Sequence, residues 1–479
     1  MEAFFPAFAV FAAVFTRPME RVATMDPAMA TSLYEAQSVR LVYEAPLAID
    51  YEARPYRLAP EYCELPEVSS DGLVYTFRTR RGPAADLVNS LERLRDPKLL
   101  SPSAWILKDV ATIRTTAVDR VAIRLKRRVS YFPWLMSLSQ CGVRRPDGSG
   151  TGEFTLARWR RNHEMVFRRK PEARRADGFD EVRYLVVDDA STRWLMFLKG
   201  ELDYLESVPR DNWESVVDQH GELVPELKRR GIRMHHAPSL DSFYLGFNMS
   251  DPVLGKNRRL RQALNAAFDF PAWNRFFNGR IREAGGPVPA GVEGALPAET
   301  FPYRFNLGLA KRLLAEAGYP DGIDPATGRR LTLTLAIGRA DQESRESGEL
   351  TAAFFEKIGV KLELRFYTWD AFLKATSEGN VQLFRMGWVG DYPSAQNFLQ
   401  LFYSPNMRPG GNRSGDVNAE YDAAYEREDW RRCQEILRED CPWIFQHFNV
   451  INSLTGPRVG GFLPSAFHEG HEKWYNVCP

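Results

Sequence analysis

The chain has 479 residues, more than the roughly 250 to 300 that one hydrophobic core usually serves, so at least two lobes are expected. Its 63 basic and 62 acidic residues leave a net charge of +1, which argues against bulk electrostatic attraction to nucleic acid or to an anionic membrane. Hydrophobic residues make up 44% of the chain and aromatic residues 12%, as in ordered globular proteins, and no repeat of fixed period is visible.

The apolar run from Phe4 to Phe15 has two interpretations. Broken only by Pro6, it is close in length to the apolar core of a signal peptide, but Glu2 stands where a basic residue is expected. The other interpretation is a first buried strand. The run is too short to span a bilayer, which takes about 20 apolar residues, and no other stretch is apolar enough to do so. The sequence therefore leaves export open.

The first third of the chain is predicted to be rich in strands. A turn followed by alternating residues predicts a strand within Val68 to Arg80, and Val118 to Leu125 alternates again. Helical spacing predicts a helix over Leu87 to Leu94. Glu153 to Lys170 is predicted to form a β-hairpin.

The predicted hairpin carries the densest basic cluster of the chain. The cluster consists of Arg158, Arg160, Arg161, Arg168, Arg169 and Lys170, with Trp159 and Phe167 between them. Basic and aromatic residues together are typical of single-stranded nucleic-acid binding. The favoured interpretation is a solvated hairpin face, because nearby acids and the near-neutral charge of the whole chain offset the positive potential of the cluster.

Two amphipathic helices are predicted in the second half. The first covers Arg258 to Asp269 and the second covers Leu307 to Ala317, which Asn306 and Gly318 cap. A strand over Phe243 to Asn248 precedes the first helix.

Residues 331 to 391 alternate between strand and helix patterns. Strands are predicted over Leu331 to Ile337, Val360 to Phe366 and Val381 to Trp388, with a helix in each interval. Such units build mostly parallel sheets, which bind ligands beyond the carboxyl ends of their strands. Because Asp391 and Tyr392 follow the third strand, their turn is predicted to contact the ligand.

Several stretches together resemble the family 5 extracellular solute-binding proteins, the peptide- and nickel-type receptors of ABC importers. The matching stretches, in the order and approximate spacing of the family, are Leu33 to Tyr51, Val68 to Phe77, Gly150 to Leu156, Tyr244 to Asn248, Arg259 to Leu264, Ala310 to Gly318 and Gly387 to Pro393.

The resemblance implies an α/β, two-lobed fold of the periplasmic-binding-protein type (type II), with an additional β-rich subdomain and a hinge between the lobes. Lobe I is expected to comprise residues 20–50, 178–250 and 445–479, with the β-rich subdomain at 51–177. Lobe II is expected at 251–444. The hinge crossings are expected near Asn248 to Pro252 and Pro442 to Phe448.

The resemblance also implies a function and a site. The expected protein is a monomeric, non-catalytic receptor that captures a small ligand in the interlobe cleft. The ligand class that the resemblance favours is a short peptide. The receptor would deliver the ligand to a membrane permease at the periplasmic or extracellular face. In peptide-binding members the acid of the W-x-x-D turn pairs with the α-ammonium of the ligand, and the aromatic residue lines a side-chain pocket. Here these residues are Asp391 and Trp388, with Tyr392 beside them, although a turn-forming role for Asp391 and a core role for Trp388 are the alternatives.

Enzyme and cofactor motifs are weak. Gly148 to Gly152 lacks the G-K-[ST] of a phosphate loop, and His468 and His471 miss the zincin spacing. No cofactor or metal ligand set is predicted. The rival class is a hydrolase that uses Asp391 with Asp188 or Asp189.

A third alternative is a degenerate family member that binds nothing, because the chain is shorter than the family pattern near Gly82, Cys141 and Glu426. The five cysteines form no C-x-x-C pair, and free buried thiols are favoured over a Cys433 to Cys441 disulfide.

Overall fold

A computed structural model describes residues 12–209, 212–218, 221–408, 410–466 and 470–478. Most of the Phe4 to Phe15 run, together with His468, lies outside these residues. The chain divides into two compact units. Unit 1 contains residues 1–53, 57–237 and 451–479, and unit 2 contains 54–56 and 238–450.

The strands follow one another along both units. They are β1 (Val14–Met19), β2 (Leu47–Asp50), β3 (Arg57–Pro60), β4 (Glu67–Val68), β5 (Val74–Arg78), β6 (Val110–Ala117), β7 (Arg120–Leu125), β8 (Phe154–Arg160), β9 (Glu164–Arg169), β10 (Glu181–Val186), β11 (Tyr204–Leu205), β12 (Arg233–Pro238), β13 (Asp241–Phe247), β14 (Ile281–Glu283), β15 (Thr332–Ile337), β16 (Lys361–Phe366), β17 (Leu383–Val389), β18 (Trp443–Thr455), β19 (Val459–Gly460) and β20 (Asn476–Val477).

The α-helices lie between them. They are α1 (Leu33–Val42), α2 (Ala84–Leu94), α3 (Phe132–Leu135), α4 (Ala190–Leu198), α5 (Trp213–Val216), α6 (Pro225–Arg229), α7 (Arg258–Ala267), α8 (Phe270–Phe276), α9 (Leu307–Glu316), α10 (Gln342–Glu356), α11 (Trp369–Glu378), α12 (Ala395–Leu399), α13 (Ala419–Glu426) and α14 (Trp430–Asp440). None of the helices in the described residues is both long enough and apolar enough to cross a membrane.

Unit 1 is built on two four-stranded sheets, β1-β10-β9-β8 and β4-β5-β7-β6. The first sheet packs its apolar side into a core that includes Phe15, Phe154, Phe167 and Tyr184. Phe15, at the end of the first apolar run, is therefore part of a buried strand. The predicted strands and helix in this part of the chain, and the hairpin of β8 and β9, are all confirmed.

Unit 2 has a sheet in the order β18-β13-β17-β15-β16. β15 pairs in parallel with both β16 and β17, whereas β13 pairs antiparallel with β17. The predicted sequence of strand, helix, strand, helix, strand is confirmed in β15, α10, β16, α11 and β17. The carboxyl ends of β15, β16 and β17 therefore share one edge of the sheet, which is hereafter called the carboxyl edge.

Capping explains where the helices of unit 2 begin and end. Asn306 accepts from the Leu309 N–H at the start of α9, and Gly379 ends α11 in the left-handed conformation. The predicted bounds of α7 and α9 are confirmed to within two residues.

Unit 2 is wider than the predicted lobe II. The chain passes between the units at 53/54, 56/57, 237/238 and 450/451. The residues of both expected crossings, near Asn248 to Pro252 and Pro442 to Phe448, fall within unit 2, and the lobe bounds stay a prediction. The reason is that β13 and the first part of β18 are strands of the unit 2 sheet. The subdomain boundary at 51–177 stays a prediction.

The cysteines and the basic hairpin follow the favoured interpretations. All five cysteines are free thiols, and four of them are buried. On the hairpin, Arg158 and Arg160 pair with Glu164, Arg168 pairs with Glu181, and Arg169 pairs with Glu153. Four of the six basic residues of the cluster are therefore paired with local acids, as in a solvated hairpin face.

Candidate ligand-binding site

The turn after β17 is positioned by the antiparallel ladder with β13. Trp388 lies opposite Ser242 in this ladder, and the chain leaves the sheet at Gly390, whose N–H donates to the Leu240 carbonyl at 2.7 Å. A Cβ atom on Gly390 would lie 2.7 Å from the Phe398 ring, so this close approach requires glycine. Asp391 therefore emerges at the carboxyl edge, as the sequence predicted.

Asn397, in α12, holds the turn together. Its Oδ1 accepts from Trp388 Nε1 at 2.9 Å and from the Asp391 N–H at 3.2 Å, while its Nδ2 donates to Asp391 Oδ2 at 3.3 Å. The Asn397 side chain is 0% exposed. One buried amide therefore fixes the orientation of both predicted ligand contacts. Asn397 was not among the site residues predicted from the sequence, although it follows Asp391 by only six residues.

The side chain of Asp391 is accessible to solvent, but nearby protein atoms displace part of the water around its carboxylate. This desolvation raises the pKa of Asp391 above its ordinary value of 3.8, although the hydrogen bonds from Asn397 and the backbone act in the opposite direction. Of the described residues, none forms an ion pair with Asp391. An anion in this state is stabilised by a cationic ligand group.

Tyr392 has a different place from the one predicted. It is 1% exposed, and its hydroxyl donates to Gln396 Oε1 at 2.6 Å, while Gln396 in turn donates to the Tyr425 hydroxyl. In this structure Tyr392 offers no surface to a ligand. It instead anchors the turn to the core of unit 2.

Trp369 adds an aromatic surface to the same edge. It opens α11 directly after β16, its side chain is 53% exposed, and its ring stacks on Phe372. In the sheet β16 is separated from β17 by β15 alone, so the ends of β16 and β17 lie about 10 Å apart. Trp369 and Asp391 thus follow strands that end at the same carboxyl edge, and Trp369 is exposed there.

Arg385, also in β17, is a desolvated cation. Its guanidinium lies 5.3 Å from the ring centroid of Trp273 and donates to the Ser347 hydroxyl. Burial lowers the pKa of Arg385 to about 10, although Glu343 and Asp341 act to raise it. Within the described ranges no carboxylate forms an ion pair with Arg385. Arg385 was not among the site residues predicted from the sequence.

The carboxylates of the hydrolase alternative have structural roles. Asp189 caps α4, with its Oδ1 accepting from the Thr192 N–H at 2.7 Å, and this bonding lowers its pKa. Asp188 pairs with Arg21 on the surface. Where the structure describes the chain, no three His, Cys, Asp or Glu side chains are grouped so as to hold a metal ion.

Comparison with known proteins identifies the family of the chain. The sequence model of the bacterial extracellular solute-binding proteins, family 5 (middle), matches residues 24–409. The chain belongs to this family. Family 5 consists of binding proteins, and this member is the solute-binding component of an ABC importer, located at the periplasmic or extracellular face of the membrane.

Individual family 5 relatives are distant. Heme-binding protein A of Haemophilus influenzae is 24% identical, over 90% of this chain and 85% of that protein. The periplasmic murein peptide-binding protein MppA of Escherichia coli is 24% identical, over 92% of this chain and 88% of that protein. The solved structure of HbpA2 from Haemophilus parasuis has a TM-score of 0.83 at 22% identity, covering 97% of this chain and all of that one, which shows the fold.

Proposed function

We propose that this receptor binds a short peptide at the carboxyl edge of the unit 2 sheet and passes it unchanged to a membrane permease. The single observation that carries the proposal is the Asp391 carboxylate, which is solvent-accessible, desolvated and held in place by Asn397. The α-ammonium group of a peptide supplies the missing positive charge.

Neighbouring side chains support a peptide over a neutral solute. Trp388 and Trp369 provide aromatic surface for the side chains of the ligand, and Arg385 provides a cation for its terminal carboxylate. A relative at 24% identity, MppA, is named for binding a murein peptide.

The hydrolase alternative receives no support from these contacts, because Asp188 and Asp189 are engaged in an ion pair and a helix cap. The degenerate alternative is also disfavoured. At one of the shortened segments the Ala84 N–H donates to the Val118 carbonyl, and at another the Asp429 N–H donates to the Ala424 carbonyl, so the loops are closed by hydrogen bonds.

Thermal unfolding with modified peptides tests the proposal. The wild type, Asp391→Asn and the surface control Asp188→Asn are each unfolded with mixed short peptides, with the same peptides N-acetylated, and with the same peptides C-amidated. At about 100 times its dissociation constant a ligand adds about 2.7 kcal/mol of stability. We expect a rise in Tm with free peptides in the wild type and in Asp188→Asn, and a loss of that rise in Asp391→Asn.

The modified peptides separate the two ends of the ligand. Loss of the rise both on N-acetylation and in Asp391→Asn assigns the ammonium to Asp391. A smaller rise on C-amidation shows that the terminal carboxylate is also bound. A rise that is equal for free and acetylated peptides contradicts the role of Asp391. If Tm rises with hemin and with none of the peptides, the ligand is heme and the peptide proposal is wrong. Mass spectrometry of the recovered peptide excludes hydrolysis if the mass of the peptide is unchanged.

A further inference from the structure

A cavity of about 340 Å³ lies within unit 1, far along the chain from Asp391. One wall is the Gly-rich turn that contains Thr151 and Gly152. The rest of the lining has three basic and two acidic side chains, with Ala173: Arg81, Arg145, Lys170, Glu153 and Glu172. Three cationic side chains therefore surround one small space, in a protein whose net charge is only +1.

Two of these cations share one backbone oxygen. Lys170 Nζ donates to the Gly150 carbonyl at 2.8 Å, and Arg145 Nη1 donates to the same oxygen at 3.0 Å. Neither of them forms an ion pair with any carboxylate of the described chain. Burial, and then the charge of Arg145, lower the pKa of Lys170. Lys170 and Arg145 are thus held close together although their positive charges repel each other, and a bound anion would reduce this repulsion.

Of the acids near the cavity, one pairs with a cation outside the lining, one pairs with Arg81, and Glu172 acts on Lys170 without forming an ion pair with it. Glu153 pairs with Arg169 at 2.5 Å, and Glu44 pairs with Arg81 at 2.7 Å. Glu172 is on the exposed side of the lining. The pairing with Glu44 uses one amino group of Arg81 and leaves further N–H donors on the guanidinium. The charge that remains in the cavity is positive.

The glycines of the turn serve packing. A Cβ atom on Gly150 would lie 1.9 Å from the Val42 carbonyl at the end of α1, and the Gly152 N–H donates to that carbonyl at 2.8 Å. The Gly152 N–H is therefore already bound within the protein, and the donors proposed for an anion are side chains.

We propose that this cavity binds a phosphate group, as the free ion or as a monoester, through Arg81, Arg145 and Lys170. Three separate cations suit the several oxygens of a tetrahedral oxyanion better than the two oxygens of a carboxylate. The site lies in unit 1 alone and does not depend on the peptide proposed for the carboxyl edge.

Titration calorimetry of the full chain with inorganic phosphate, at constant ionic strength, tests the inference. We expect Lys170→Gln and Arg145→Gln each to weaken phosphate binding about ten-fold, the usual loss for a charge-assisted hydrogen bond. The matched variants Lys311→Gln and Arg312→Gln, on the exposed side of α9, and Asp391→Asn should bind phosphate as the wild type does.

The source of the phosphate group is distinguished by two further probes, glycerol 3-phosphate and phosphatidylcholine vesicles that contain 20% phosphatidic acid. Binding of phosphate or glycerol 3-phosphate assigns a soluble ligand, and binding of the vesicles alone assigns a lipid headgroup. Binding of none of the three overturns the inference. Equal binding by wild type, Lys170→Gln and Arg145→Gln also overturns it, and circular dichroism verifies that both variants are folded.

Discussion

Trp388 and Asp391 are bound to the same buried amide, Asn397, which accepts from the indole of one and donates to the carboxylate of the other. Two side chains that a ligand would contact thus share one support. The arrangement matters because an aromatic wall and a carboxylate bind a ligand tightly only if their positions are fixed before the ligand arrives.

Replacement of Asn397 by leucine should therefore weaken both the fold and the site. Leucine leaves Trp388 Nε1 and the Asp391 N–H without their acceptor, and each such orphaned group costs about 1 to 3 kcal/mol where it is buried. We expect a lower Tm for the ligand-free protein by calorimetry, and a smaller rise on adding peptide. Asn380→Leu, at an exposed position, is the control. An unchanged rise with peptide in Asn397→Leu would show that the site does not depend on this amide.

The strand and helix order of unit 2 was predictable, whereas the support of the site was not. Alternation in β15, β16 and β17 and the helix-ending Gly379 identify the elements directly, since each signal is local. The role of Asn397 depends on where α12 returns to the turn, and the desolvation of Arg385 depends on Trp273 and Ser347, which lie more than thirty residues away in the chain. The burial of Tyr392 and its hydrogen bond to Gln396 in α12 could not be predicted either, because burial of one turn residue against a later helix has no sequence period.

Asp391→Asn should stabilise the ligand-free protein at neutral pH. The pKa of Asp391 is raised in the fold, so the folded state binds this proton more tightly than the unfolded chain does. The stabilisation that protonated Asp391 gives to the folded state is fully present below pH 3.8, the ordinary pKa. It is lost as the pH rises through the raised pKa of the folded state. Unfolding of wild type and variant should therefore differ at pH 7 and converge below pH 3.8. A variant that is less stable than the wild type at pH 7 would show that Asp391 is already stabilised without ligand.

Gly150→Ala should destabilise unit 1, because the new Cβ would lie 1.9 Å from the Val42 carbonyl, a backbone atom that cannot move away independently. The matched change, Gly308→Ala, falls inside α9, where the nearest atom lies 3.4 Å from the new Cβ. Alanine is favoured over glycine in a helix by up to about 1 kcal/mol. Calorimetry should therefore show a lower Tm for the first variant and an equal or higher Tm for the second. Equal behaviour of the two variants would contradict the close packing of the turn on α1.

Glu61→Gln should be among the most damaging single changes to unit 1. Glu61 is 6% exposed and lies between Arg40 Nη1, at 2.6 Å, and Lys473 Nζ, at 2.8 Å. Removal of one member of a buried charge group leaves the others uncompensated and typically costs about 3 to 5 kcal/mol. The control is Asp188→Asn, whose partner Arg21 is exposed, and for which at most about 1 kcal/mol is expected.

The same group should make unit 1 sensitive to acid. Burial alone would raise the pKa of Glu61, but Arg40 and Lys473 more than offset this and hold it below its ordinary value of 4.5. The stabilisation from this carboxylate is therefore present above pH 4.5 and is lost as the pH falls through the lowered value. Unfolding of the wild type followed from pH 7 to pH 3 should show a falling stability in this window, and Glu61→Gln should show a smaller fall. Parallel curves for the two proteins would mean that Arg40 and Lys473 do not stabilise the charged form of Glu61.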